Sequence, residues 1–168
     1  MQLRFFSCFI LFFFCSCVVF QNQKNSNELL ISSNSDNIEI SGKSVLVKMK
    51  KTPCFGKCPY FEVIIFNDGS INYEGFSFVD NIGLFSSEIN KKKIALIEDY
   101  IRRIDFFSLE EVYDARVSDL PSVIIEVNLH GKYHKVKGRY RVPEKFKLFT
   151  NFIDNILLEI DSWNKVRN

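Results

Sequence analysis

The chain has 168 residues, of which 46% are hydrophobic and 15% aromatic, so it is long enough to form one globular domain with a substantial core. Its 22 basic and 20 acidic residues leave a formal charge of +2. A surface that follows nucleic-acid phosphates needs a clear excess of basic residues, so nucleic acid is not an expected partner. The sequence also contains no P-loop and no G-x-G-x-x-G segment, and no cofactor is expected.

The chain begins with an apolar leader. Arg4 is followed by a nearly continuous apolar run from Phe5 to Phe20, which is typical of a secretory signal. The segment FFFCSC resembles the end of a bacterial lipoprotein signal, in which a cysteine after a small residue becomes the acylated N-terminus. On this interpretation residues 1–16 are a signal peptide, and acyl chains on Cys17 hold the protein at the membrane. An uncleaved N-terminal membrane anchor is the alternative.

A polar segment separates this leader from the rest of the chain. From Gln21 to about Asp36 the residues are mainly Asn, Ser and Gln, a composition that predicts a flexible tether rather than a packed element, and we place this tether at residues 17–40. We therefore divide the chain into the leader, this tether and a single domain over residues 41–168. The expected location is the cell envelope, as a membrane lipoprotein that faces the periplasm.

The first part of the domain has the pattern of β-structure. The segment SVLVKMK, which starts at Ser44, alternates with the period of two expected of a half-buried strand. A second apolar segment, Tyr60–Phe66, is followed by Asp68 and Gly69, a pair that tolerates the positive φ of a tight turn, and then by INYEG. These patterns predict a strand, a cysteine-containing loop and a β-hairpin. Weaker extended segments follow at FSFVD and IGLFSSEI.

Two later segments have the period of a helix. Isoleucines recur at helical spacing between Lys91 and Ile104, after the favourable N-cap Asn90, and a wide apolar stripe runs from Pro143 to Ile160. Between them, SVIIEVNL and KYHKVKG predict a second hairpin. Hairpins and helices without regular βαβ alternation indicate an α+β fold. We predict a two-layer sandwich, in which an antiparallel sheet carries both helices on one face.

The segment TPCFGKCPY contains the first candidate site. Pro59 disfavours helix at Cys58, and Gly56 permits a sharp reversal, so Cys54 and Cys58 are expected in a loop where their side chains can meet. An exported chain enters an oxidising compartment, and we interpret the pair as a structural disulfide. The loop-entropy relation gives about 2 kcal/mol for so short a ring.

Two other interpretations use the same sulfur atoms. Cys54 and Cys58 could hold zinc together with His130 and His134, because both pairs have the short spacing of a Cys₂His₂ site. A redox couple is the other alternative, although such couples usually have two intervening residues and a βαβ context. A partly buried strand position explains His134 without a metal.

Two further segments are candidate binding surfaces. SDLPS, with Ser118, Asp119, Leu120 and Pro121, forms a polar loop before a predicted strand, and turn formation also explains its composition. The segment HKVKGRYRVPEKFK places basic residues at alternate positions, which predicts one positively charged strand face. We find no catalytic acid–base pair in the sequence.

Taken in order, KTPCFGKCPYFEVIIFNDGSINYEG, IDFFSLEEVY and VSDLPSVIIEV are similar to the bacterial family called domain of unknown function 6438. The similarity extends from about Val45 to Ile160. Its members look like exported or lipoprotein-type domains, so the resemblance implies an exported folded domain, and it implies no reaction. The residues that carry it are Cys54, Gly56, Cys58, Pro59, Asp68, Gly69, Gly75, Phe106, Phe107, Leu109, Asp119, Leu120 and Pro121.

These observations lead to two functional hypotheses. The first is a non-enzymatic, membrane-tethered binding module of the cell envelope, held by its lipid anchor and partnered by another envelope protein. The second is a thiol- or zinc-dependent enzyme centred on Cys54 and Cys58.

Overall fold

The computed structural model describes residues 43–115 and 119–166. Cys17 and Ser118 lie outside these ranges. Two α-helices are described, α1 (Lys91–Arg103) and α2 (Glu144–Leu158), together with a short 3-10 helix, Phe106–Ser108. The strands are β1 (Val45–Lys51), β2 (Tyr60–Phe66), β3 (Ser70–Ser77), β4 (Gly83–Glu88), β5 (Val112–Tyr113), β6 (Val123–Leu129), β7 (Lys132–Gly138) and β8 (Asn164–Lys165).

The eight strands form one sheet in the order β5-β7-β6-β1-β2-β3-β4-β8. This architecture confirms the predicted α+β class. The sheet is antiparallel, as predicted, except at one edge, where β5 runs parallel to β7, with Val112 opposite Lys137 and Tyr113 opposite Gly138. The chain reverses direction between β5 and β6 and again in the β6–β7 hairpin, so β5 and β7 run in the same direction.

One face of the sheet carries the core. Alternate residues of the central strands point to the same side, and six of those on β1, β2 and β6 are fully buried. The buried faces of α1 and α2 belong to the same hydrophobic core. These buried side chains are Val47, Met49, Val63, Ile65, Ile125 and Val127 from the strands and Ile97, Ile101, Phe149 and Ile153 from the helices. Both helices therefore cover this face, as predicted.

Local sequence signals determine where α1 begins. The side chain of Asn90 accepts a hydrogen bond from the N–H group of Lys93 and so caps the helix, as predicted. The lysine-rich first turn opposes the helix dipole, and Lys93 forms an ion pair with Glu159 at the end of α2. In the described ranges, no helix combines the length and the apolar character needed to cross a membrane.

Candidate functional site

The loop between β1 and β2, here called the disulfide loop (residues 52–59), contains both cysteines. The sulfur atoms of Cys54 and Cys58 are bonded, and their Cα atoms lie 5.7 Å apart, which is the usual separation for a disulfide. This geometry fits the predicted pair. Gly56 does not have a positive φ. The reversal of the chain in this loop therefore does not depend on a left-handed backbone at that glycine.

The tip of the disulfide loop projects into solvent. Phe55 is 93% exposed, the largest fraction among the exposed large apolar side chains of the described residues. Lys57 is also exposed. Because folding normally removes aromatic rings from water, a ring held outside on a covalently closed loop is available to a binding partner.

The DLP segment (residues 119–121) lies beside the disulfide loop. The N–H group of Thr52 donates to the carbonyl oxygen of Ser122 at 2.9 Å, and the N–H group of Ser122 donates to Oγ1 of Thr52 at 2.7 Å. Two segments about 70 positions apart are thus joined by reciprocal hydrogen bonds. Their contact places Leu120, which is 42% exposed, at the same end of the sheet as Phe55.

A buried serine and an arginine stabilise the contact between the disulfide loop and the DLP segment, here called the junction. Ser122 is only 1% exposed, and its hydroxyl oxygen accepts a hydrogen bond from Nε of Arg139 at 2.9 Å. Since buried polar groups are costly when unpaired, this contact fixes the start of β6. Arg139 also lies 3.6 Å from Oδ1 of Asp114.

The basic strand face is largely neutralised. Lys137 donates to Oδ2 of Asp114 at 2.8 Å, and Lys135 lies 2.9 Å from Glu126. The hydrogen bond from Lys137, followed by one from the Ala115 N–H group and the charge of Arg139, lowers the pKa of Asp114. Asp114 therefore stays ionised. The positive strand face predicted from HKVKGRYRVPEKFK therefore carries paired charges of both signs.

The structure does not bring the four zinc ligands of the alternative interpretation together. Cys54 and Cys58 follow β1 at Lys51, which pairs with Val123, whereas His130 lies at the other end of β6, in the β6–β7 turn. Nε2 of His134 lies 2.8 Å from the carbonyl oxygen of Leu109. No cluster of three or more potential metal ligands occurs within residues 43–115 and 119–166.

Sequence reasoning did not identify the residues that join the disulfide loop to the DLP segment, nor the acidic partner of Lys137. Thr52 and Ser122 had no local signal, since each is an ordinary hydroxyl residue at a strand end. The pairing of Asp114 with Lys137 crosses 23 positions of the chain. The alternation of basic residues along β7 was interpreted as a positively charged face, whereas Glu126 and Asp114 supply acidic partners within the domain.

Comparison with known proteins adds one result. No curated protein and no solved structure matches the chain. The model of the family described as domain of unknown function (DUF6438) matches residues 45–157, which include β1 to β7 and all but the last residue of α2. The chain therefore belongs to the domain of unknown function 6438 family.

Proposed function

We propose that this protein is a non-enzymatic binding module of the cell envelope, tethered to the membrane through a lipid on Cys17, and that the DLP segment forms its contact with another envelope protein. The leader at residues 1–16 and the polar tether at residues 17–40 support export and anchoring. An uncleaved N-terminal anchor would hold the same domain at the same surface.

One observation carries the choice of surface. Several residues of the family likeness have a clear role in folding: Phe106 is fully buried, Leu109 is 4% exposed, and Gly69 has a φ of 94°. Leu120 differs, because it is 42% exposed and fills no core position. An apolar side chain that belongs to the likeness but not to the core is a candidate contact residue.

The surroundings of Leu120 suit a binding surface. Hydrogen bonds between Thr52 and Ser122, and from Arg139 to Ser122, hold the end of this segment in place. Pre-organised segments lose less conformational freedom when they bind. The nearby charges on β7 are already paired within the domain, so the expected contact is an apolar centre with a polar rim.

A photo-crosslinking experiment tests the proposal. Benzophenone-phenylalanine is introduced at Leu120 in the full chain, and intact cells that make the protein are irradiated. The matched control carries the same group at Leu148, which is 47% exposed on α2. We expect a discrete protein adduct from position 120 and none from position 148.

Equal labelling from the two positions would contradict a specific contact at the DLP segment. The separate claim of anchoring is tested by mass spectrometry of the mature N-terminus. An acylated Cys17 supports the tether, whereas a soluble chain that begins with unmodified residues contradicts it.

A further inference from the structure

Two loops lie side by side at the end of the sheet that carries the disulfide loop, here called the disulfide end. The first is the disulfide loop, and the second is the β3–β4 turn (residues 78–82). Tyr60, directly after the disulfide loop, is opposite Ser77, directly before the β3–β4 turn. Their positions make the two loops neighbours, although β2 and β3 separate them in sequence.

Both loops present apolar side chains to solvent. Phe55 is 93% exposed in the disulfide loop, while Phe78 and Ile82 are 55% and 51% exposed in the β3–β4 turn. Single exposed apolar residues are common on protein surfaces, but a group of them at one end is unusual and indicates an interaction surface.

The backbone of the β3–β4 turn is strained where its ring projects. Phe78 has a φ of 54°, which is unusual for a bulky residue. The turn folds tightly against the sheet: a Cβ atom on Gly75 would lie 1.8 Å from the carbonyl oxygen of Asn81. Val79 packs against the core, and the neighbouring Phe78 ring remains outside. Strain and exposure at one residue are together a reason to look for a function.

We propose that Phe55 and Phe78 insert into the interfacial region of a lipid bilayer. The two rings lie on separate protruding loops, and a fluid bilayer can accept such separate protrusions. Aromatic rings and lysines are the residues that bridge the apolar and polar layers of a membrane surface. The disulfide loop contains Lys57 and no acidic residue. Asp80 is the one acidic residue of the β3–β4 turn, which contains no basic residue.

The length of the tether permits this contact, and in that respect the inference rests on the proposed anchoring. The composition of residues 17–40 predicts a flexible tether, and a flexible chain of that length has a root-mean-square end-to-end distance of about 25–30 Å. A strand of seven residues, such as β1, is about 23 Å long. The tether precedes β1, and the disulfide loop follows β1. Because the tether is at least as long as this strand, the disulfide end can reach the bilayer. A lipid anchor plus a second, weaker apolar contact is a common way to hold a domain on a membrane.

Tryptophan fluorescence tests the insertion in the full chain. Trp163 is the one tryptophan of the sequence, so Trp163→Phe gives a background free of tryptophan. Phe55→Trp is compared with Leu158→Trp, since Leu158 is 82% exposed at the end of α2. Each protein is reconstituted with vesicles of phosphatidylethanolamine and phosphatidylglycerol that contain lipids brominated near the headgroup. We expect several-fold stronger quenching and a blue-shifted emission for position 55 only.

A second measurement does not depend on the Trp163→Phe background. Benzophenone-phenylalanine at position 55 of the otherwise native chain is irradiated in the same vesicles and, separately, in cells. A lipid adduct identified by mass spectrometry supports the inference. A protein adduct at position 55 in cells, without a lipid adduct, would show that this surface binds protein and would overturn it.

Flotation of the chains with the vesicles separates the two proposals. If the chain floats with the vesicles and position 55 is quenched no more than position 158, the inference is wrong and the tether is retained. A chain that does not float contradicts both the tether and the inference.

Discussion

Substitution of Gly75 by alanine tests how the β3–β4 turn is held. A Cβ atom at this position would lie 1.8 Å from the carbonyl oxygen of Asn81 and 2.9 Å from Cγ2 of Val79. The closest atom belongs to the backbone, so a change of side-chain rotamer cannot relieve the contact, and the turn itself must move away from the sheet.

The size of the effect follows from two opposing terms. Overpacking a tightly packed site typically costs about 1–3 kcal/mol, and displacement of backbone favours the upper part of that range. Alanine also reduces the conformational entropy of the unfolded chain, which stabilises the folded state by about 0.4–1 kcal/mol. The free energy of unfolding should therefore fall by about 2 kcal/mol. For a domain of this size, the melting temperature should fall by about 6–10 °C.

Gly56→Ala is the matched control for this substitution. Both glycines belong to the family likeness, but a Cβ atom on Gly56 would have only Sγ of Cys54 within 4 Å, at 3.9 Å. We expect its free energy of unfolding to change by less than about 0.5 kcal/mol. Thermal and urea unfolding of the full chain measure both variants. A Gly75→Ala protein that melts within about 2 °C of the native chain, or equal losses in both variants, would refute the reasoning.

Three further substitutions test other parts of the structure. Replacing both Cys54 and Cys58 by serine should lower the free energy of unfolding by about 2 kcal/mol without loss of the fold. In excess reductant, the native chain should melt at the same temperature as this double-serine variant. Phe149→Ala should cost about 3–5 kcal/mol in urea unfolding, because this ring is fully buried. Hydrogen bonds from the Ser70 hydroxyl and N–H groups lower the pKa of Asp68 from 3.8 to about 2. Asp68→Asn should therefore destabilise the protein at pH 7, and urea unfolding should show this difference shrinking as the pH falls from 4 to 2.

Each of these predictions has an outcome that would contradict it. If the reduced native chain unfolds at the same temperature as the oxidised one, the disulfide adds no stability. A small loss for Phe149→Ala would mean that the space collapses or that the ring is not at the centre of the core. For Asp68→Asn, a difference that stays constant from pH 7 to pH 2 would show that its effect does not depend on the charge of the carboxylate.

The regular elements could be predicted because their signals are local. The helix expected from Lys91 to Ile104 is observed at Lys91–Arg103. The second, expected from Pro143 to Ile160, is observed at Glu144–Leu158. In both helices the apolar spacing and the cap or proline at the start are contained within a few turns of sequence. The β6–β7 hairpin was also predicted from a local signal, the two strand segments SVIIEVNL and KYHKVKG on either side of the turn at His130 and Gly131.

The edges of the sheet and the junction of the site could not be predicted in this way. β5 and β8 have two residues each, too few to show a period, and their pairing depends on elements distant in sequence. The hydrogen bonds between Thr52 and Ser122 likewise exist only once β1 and β6 are neighbours. The sequence located the disulfide loop and the DLP segment separately, and the fold was needed to show that they are adjacent.

The polar groups of this junction are held by hydrogen bonds and ion pairs within the domain. Ser122 is its buried hydroxyl group, yet Oγ accepts a hydrogen bond from Arg139, a group that cannot act as a base at neutral pH. Asp114 is held ionised by Lys137 and Arg139, so it is a poor proton donor. Of the two histidines, His134 lies against the Leu109 carbonyl and the other lies in the distant β6–β7 turn. Polar groups that are fully engaged with one another fix the shape of a surface, whereas general acid–base catalysis needs one within reach of a substrate and with a pKa near the working pH.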